Sequence, residues 1–158
     1  SKWQGEELCK MYEQIYGLSI TICRFYNVYG DYMPTEGSYR TALSIFLEQH
    51  RSGEPLTITG DGEQRRDFTH VDDIVDAMMK VVQLNKWGNV YELGRGKNYS
   101  IKELVLMISK LTGGKIGWNF IPKIRGEMKE TLCKSELARK KLKWEPKINL
   151  NEWLEKQL

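Results

Sequence analysis

Hydrophobic positions along the chain switch repeatedly between two spacings. In "SKWQGEELCKMYEQIYG", residues 1–17, Trp3, Leu8, Met11, Tyr12, Ile15 and Tyr16 recur at helical spacing, which predicts an amphipathic helix with that side buried and Gly17 at its end. The next stretch, "LSITICRF" at 18–25, is β-branched and largely apolar, the pattern of a strand covered on both faces in a parallel sheet. Polar residues then crowd its carboxyl end. Ligands of open α/β sheets sit beyond the carboxyl ends of the strands, so Tyr26, Asn27 and Tyr29 mark where a site belongs.

The same switching continues. "GDYMPTEGS" reads as a loop, and "YRTALSIFLEQHRSG" as a helix with Ala42, Leu43, Ile45, Phe46 and Leu47 apolar, closed by Gly53. "PLTITGDGEQRRDFTHV" predicts two short strands around a Gly-Asp-Gly turn, joined as a hairpin or by a crossing loop. "DDIVDAMMKVVQLN" is the clearest helix, with Val71, Ile74, Val75, Met78, Val81 and Val82 at helical spacing. Asp72 and Asp73 suit its start, one as cap and one against the dipole. "NVYELG" is a strand, and "SIKELVLMISKLTGG" a helix opened by a capping box from Ser100 to Glu103 and closed at Gly113. A strand near "IGWNFIP", a loop "KIRGEMKET" and helices near "KSELARKKL" and "LNEWLEKQL" follow.

Composition narrows the classes. The chain has 24 basic and 21 acidic residues among 158, a balance that points to neither a nucleic-acid nor a membrane partner. The lysines of "ARKKLKW" at helical spacing read as a solvated outer face, and the scattered tryptophans as packing anchors rather than base-stacking platforms. Cys9, Cys23 and Cys133 are odd in number and lack a CxxC pairing, so neither a disulfide framework nor a metal site is expected, and a reducing cytoplasm fits. No apolar run approaches the roughly 20 residues of a membrane span. In "RRDF", an extended backbone would aim Arg65 and Arg66 to opposite faces.

Six stretches in this order, "SKWQGEEL", "RFYNVYG", "GEPLTITGDGEQRRDFTHVDDIVDA", "VYELGRGKNYSIKELV", "IRGEMKET" and "KLKWEP", resemble the C-terminal half of an extended short-chain dehydrogenase/reductase of the NAD-dependent nucleotide-sugar epimerase and dehydratase type. The resemblance implies an α/β fold: sheet strands of a Rossmann-type domain plus a smaller α/β substrate-binding domain. Residues 1–34 would be a helix and strand remnant of the Rossmann domain. Residues 35–158 would be mainly substrate-binding, with about 66–95 returning to the Rossmann sheet.

It also implies roles. The family's catalytic tyrosine stands four residues before a lysine that aligns with Lys2, so the tyrosine is expected upstream of Ser1, as is the Gly-rich dinucleotide loop; "GRGKNYS" lacks that loop's spacing. In a complete enzyme Lys2 would meet the nicotinamide ribose and lower the tyrosine's pKa, and Tyr26 would line the NAD site. Asn27, Arg66 and Arg125 would hold the diphosphate of a nucleotide sugar. Glu127 stands at the acidic position that meets the ribose hydroxyls, where many relatives have Asp. Thr57 and Thr59 lie where the base pocket forms, although alternation would also aim both to one face for packing. Arg24 reads as well as an ion-pair partner, and Asp67 and His70 as buried hydrogen-bonding groups. Cys133 stands where relatives commonly carry Asp.

The implied chemistry is 4-epimerisation: hydride transfer from the sugar's C4 to NAD, rotation of the keto sugar and hydride return. A 4,6-dehydratase or 4-reductase on the same scaffold, or a noncatalytic binding module, are the alternatives. The chain alone is expected to be inactive and to bind no NAD. Self-association through Met11, Tyr12 and Ile15 is expected of the first helix.

Overall fold

The computed structural model describes residues 1–37 and 39–158; the loop expected at 30–38 includes Ser38, which lies outside the described residues. Helix α1 (Lys2–Tyr16) ends in a left-handed turn at Gly17 and leads to strand β1 (Ile22–Phe25), followed after Tyr26 by β2 (Asn27–Tyr29). Thr41 caps α2 (Ala42–Arg51), its hydroxyl accepting from the Ser44 amide. Then come β3 (Leu56–Thr59), β4 (Arg65–His70), α3 (Val71–Gln83), β5 (Val90–Leu93) and β6 (Asn98–Ser100). The chain continues through α4 (Ile101–Leu111), β7 (Trp118–Ile121), α5 (Glu136–Leu142) and α6 (Leu150–Gln157). The capping box forms as the sequence predicts, Ser100 Oγ accepting from the Glu103 amide and Glu103 from the Ser100 amide.

The pairings are mainly parallel. β1 pairs with β5, and β3 with β7, both parallel. β4 is shared: its second half runs parallel to β2, and its first half antiparallel to β6. β3 and β4 therefore belong to different pairings, so the Gly-Asp-Gly segment is a crossing loop and not a hairpin turn.

Two buried clusters hold these layers. The larger joins Leu43 and Phe46 of α2, Leu56 and Ile58 of β3, Phe68 of β4, Leu104 and Ile108 of α4, and Leu154 of α6. The second joins Ile74, Ala77 and Val81 of α3 to Tyr91 and Leu93 of β5 and to Ala138, Leu142 and Trp144. Each fully buried large apolar side chain contributes about 1.5–3 kcal/mol of transfer free energy, so these clusters dominate cohesion. Asp73, expected at the helix start as a cap or dipole partner, turns inward: its carboxylate accepts from the amides of Lys147 and Ile148, and its carbonyl from the Trp144 indole. The cap of α3 is His70, whose Nδ1 accepts from the Asp72 amide at 3.2 Å.

Three expectations of burial change. The apolar side of α1 is exposed, from 42% at Met11 to 69% at Trp3, because among the described residues no element packs over it. Strand β1 begins only at Ile22, since its partner starts at Val90 after the turn in which the Gly88 amide meets the Ile20 carbonyl, and its end at Arg24 and Phe25 is open. On α3, Val71, Val75, Met78 and Val82 are exposed beside the buried Ile74, Ala77 and Val81. Among the described residues no helix is long and apolar enough to cross a membrane.

Candidate functional site

The site is built on the first half of β4. There the backbone of Arg65 takes on a neighbour besides β6: its amide donates to the Lys129 carbonyl at 2.8 Å, and its carbonyl accepts from the Thr131 amide at 3.0 Å. These two bonds fasten the end of loop 122–131 along the strand. The loop's turn spans Ile124 to Glu127, closed by the Glu127 amide on the Ile124 carbonyl, with Gly126 at φ 81° where a side chain would be strained. Arg125 is exposed on that turn, and Glu127 reaches back to Arg66, its Oε1 3.2 Å from the guanidinium.

Strand alternation separates the two arginines. Arg66 is largely buried and donates to Glu127 and to the Arg65 carbonyl. Arg65 instead donates to Asn98 Oδ1 at 2.9 Å and to Glu103 Oε2 at 2.8 Å, tying β4 to β6 and to the first turn of α4. Its guanidinium is thus spent on the fold.

Asn27 enters from the end of the neighbouring β2. The Thr131 hydroxyl accepts from the Asp67 amide at 3.3 Å and donates to Asn27 Oδ1 at 3.1 Å. That bond fixes the Asn27 amide group, and its Nδ2 has no partner among the described residues, which leaves two donors for a ligand acceptor. Thr131 lies in the "KIRGEMKET" stretch, but its part as the link between Asn27 and β4 has no signal in residue type or spacing.

A cleft of about 290 Å³ opens beside Glu127, lined also by Thr59, Gln64, Lys123 and Lys129. Thr59 faces it. Thr57 does not line it: its hydroxyl and amide are both bonded to the side chain of Gln49 on α2. The alternation of β3 therefore puts both threonines on one side, as expected, but only Thr59 at the cleft.

Asp67 is fully buried, its carboxylate accepting from the amides of Arg95, Gly96 and Cys133 at 2.9 to 3.0 Å. It is a structural hub. Cys133 is buried beside it, with Sγ 3.0 Å from Ser135 Oγ, and burial pushes its thiol up. Tyr26 stands half-buried over this group; burial, with Cys133 close by, raises its phenol above the usual range. His70 is buried against Tyr29, ring centroids 5.1 Å apart. Arg24 makes two bonds to Glu6 at 2.7 and 2.8 Å, and that arginine holds the Glu6 carboxyl below its ordinary value. The pair also fastens the first turns of α1, where Lys2 begins the helix, to the end of β1 that leads into Tyr26.

The loop fastened to β4 thus connects the site residues in two places: Glu127, two residues after Arg125, bonds Arg66, and Thr131 bonds Asn27. Guanidinium groups and amide donors are the groups that suit anionic oxygens.

Comparison with known proteins identifies the family. The chain is 32% identical over 159 residues to an uncharacterised UDP-glucose epimerase of Bacillus subtilis, covering 100% of this chain and 49% of that protein. It is 32% identical to a UDP-glucuronate 4-epimerase of Thermodesulfobacterium geofontis, covering 99% and 47%. Among solved structures, UDP-glucose 4-epimerase of Thermotoga maritima with UDP-glucose matches at a TM-score of 0.90 and 30% identity, over 98% of this chain and 49% of that one. UDP-glucuronic acid 4-epimerase of Bacillus cereus, in complex with UDP-glucuronic acid and NAD, matches at 0.88 and 31%, over 98% and 48%. The chain spans about half the length of these relatives. Residues 1–94 match the model of the NAD dependent epimerase/dehydratase family, to which the chain belongs.

Proposed function

We propose that this chain holds the diphosphate of a nucleotide sugar, through Asn27, Arg66 and Arg125, for an NAD-dependent 4-epimerisation. The observation that supports the reading is the fastening of loop 122–131 along β4: Glu127, in the turn that bears Arg125, bonds Arg66, and Thr131, at the loop's end, bonds Asn27, whose amide donors have no partner among the described residues. Two rigid guanidinium groups and an amide can satisfy several phosphate oxygens at once. Thr59 and the cleft beside Glu127 take the nucleoside end. NAD, when bound, supplies the acceptor and donor of the hydride; Lys2 and Tyr26 are the residues of this chain assigned beside it. Tyr26 offers a phenol kept protonated by its surroundings, and Lys2 a cation at the start of α1. Firm hold on the diphosphate with few contacts to the sugar is what lets a keto sugar turn over between hydride transfers. In domain terms, residues 1–34 with about 66–95 make the sheet side, and most of 35–158 the substrate side.

The test is a UDP titration of Arg66→Ala, Arg125→Ala and Arg65→Ala, with folding checked by circular dichroism. Loss of Arg66 or Arg125 should weaken binding about tenfold or more, since each charge-assisted bond contributes about 1.5–3 kcal/mol. Arg65→Ala should weaken it far less. If Arg65→Ala is the worst of the three, the assignment is wrong.

A further inference from the structure

Glu127 takes part in two arrangements at once. Its carboxylate bonds Arg66 at 3.2 Å with only 14% and 20% of the two side chains exposed, and it also lines the cleft shared by Thr59, Lys123 and Lys129. Arg66 is not among the residues that line that cleft. Glu127 is therefore the residue common to the cleft and to the ion pair with Arg66. Glu127 is also the only anionic group bonded to Arg66 among the described residues, the other acceptor being the carbonyl of Arg65. Little holds Glu127 there besides this bond. Its amide is bonded only within its own turn, to Ile124, and the fastening of the loop to β4 begins two residues later at Lys129.

A carboxylate and a phosphate offer the same thing to a guanidinium, two anionic oxygens in one plane. We propose that Glu127 is an internal competitor for the phosphate site: it occupies Arg66 when no ligand is bound and swings away when a diphosphate enters. This rests on the reading that Arg66 holds phosphate. The apparent dissociation constant is then the intrinsic one divided by the fraction of molecules in which Arg66 is open. Glu127 thus sets the affinity for the diphosphate, and the ion pair keeps Arg66 extended and ready instead of collapsed onto other acceptors.

Inorganic pyrophosphate separates this role from any contact of Glu127 to a ribose, because it has none. Calorimetric titration of pyrophosphate into the protein and its Glu127→Gln variant should show about three- to tenfold tighter binding to the variant. In an Arg66→Gln background the same change should alter affinity less than about twofold, since no guanidinium is left to unmask. Glu63→Gln removes a charge from the same cleft without touching Arg66, as Glu63 pairs with Lys102, and should also change affinity less than about twofold. If Arg66→Gln weakens binding but Glu127→Gln does not strengthen it, the competitor role is overturned and the phosphate assignment stands. If Arg66→Gln leaves pyrophosphate binding intact, both fall. Equal strengthening by Glu63→Gln and Glu127→Gln, or no binding to either the parent or Glu127→Gln, overturns the proposal. Circular dichroism and thermal melts of every variant show that the fold is kept.

Discussion

Arg66 and Asp67 are neighbours on β4, face opposite ways, and are bonded in opposite styles. Asp67 is saturated by three backbone amides drawn from two distant segments, 95–96 and 133, none of which can leave without moving the chain. Arg66 meets one side chain, Glu127, and the carbonyl of its own neighbour. A charge held by backbone is part of the fold. One held by a single side chain on an exposed turn is available for exchange. The same contrast divides Asp73, fixed by the amides of Lys147 and Ile148, from Asn27, which spends its oxygen on Thr131 and keeps its amide donors open.

The largest test of this division is Asp67→Ala. It leaves the amides of Arg95, Gly96 and Cys133 without their acceptor in a buried setting, at about 1–3 kcal/mol for each amide that water cannot reach. We expect more than about 3 kcal/mol lost in urea denaturation, or no cooperative unfolding at all. Arg66→Ala should cost clearly less, about 1–2 kcal/mol of stability, because Glu127 lies on an exposed turn and can turn its carboxylate to water, while UDP binding weakens. Equal stability losses in the two variants would erase the distinction between fold and site on β4.

Next in size is Gly94→Ala, which probes how closely the hub is packed. A Cβ there would stand 2.3 Å from Cys133 Cβ and 2.9 Å from its Sγ, both below any real contact. Relief requires the 133 segment to shift off Asp67, and overpacking of this kind costs about 1–3 kcal/mol. Cys133→Ala keeps the offending Cβ and should not rescue the variant, whereas Cys133→Gly should recover part of the loss. Rescue by Cys133→Ala as full as by Cys133→Gly would mean that the Cβ contact is not the cause.

How far such features can be read from sequence depends on whether they are local. The capping box at Ser100, the α2 and α4 cores and the facing of Arg65 against Arg66 follow from spacing over a few residues, and the structure has them. The buried hydrogen-bonding role read for Asp67 is there, but its partners and those of the Asp73 carboxylate do not follow from spacing, because they lie 28 to 75 residues away and are backbone amides, which carry no residue signature. Thr131 escaped for the same reason. The apolar side of α1 was legible as a pattern, but periodicity gives the face and not its neighbour, and among the described residues that face is exposed. His70 as the cap of α3 was hidden because Asp72 and Asp73 fit the local rule better.

The smallest test concerns Glu103, whose bonding lies between the two styles. One carboxylate oxygen, Oε2, accepts from the Ser100 amide at 2.7 Å and from the Arg65 guanidinium at 2.8 Å, so it is held by one backbone group and one side chain. The Ser100 amide first, and Arg65 after it, hold its carboxyl below the ordinary value of 4.5. A carboxyl depressed in the folded state stabilises fully above 4.5, where both states are ionised, and loses that contribution as pH falls through the folded value. Because the side chain is 47% exposed, solvent screens it, and the contribution is about 0.5 kcal/mol. Glu103→Gln retains acceptor oxygen without the charge. The parent should exceed this variant by about 0.5 kcal/mol in urea at pH 6, and the gap should narrow as pH falls below 4.5. In an Arg65→Ala background the gap at pH 6 should shrink without vanishing, since the Ser100 amide remains. A gap that widens on acidification would reverse the sign of the linkage. One that vanishes with Arg65 would make Glu103 a simple ion-pair partner, exchangeable as Glu127 is on Arg66, and not part of the cap.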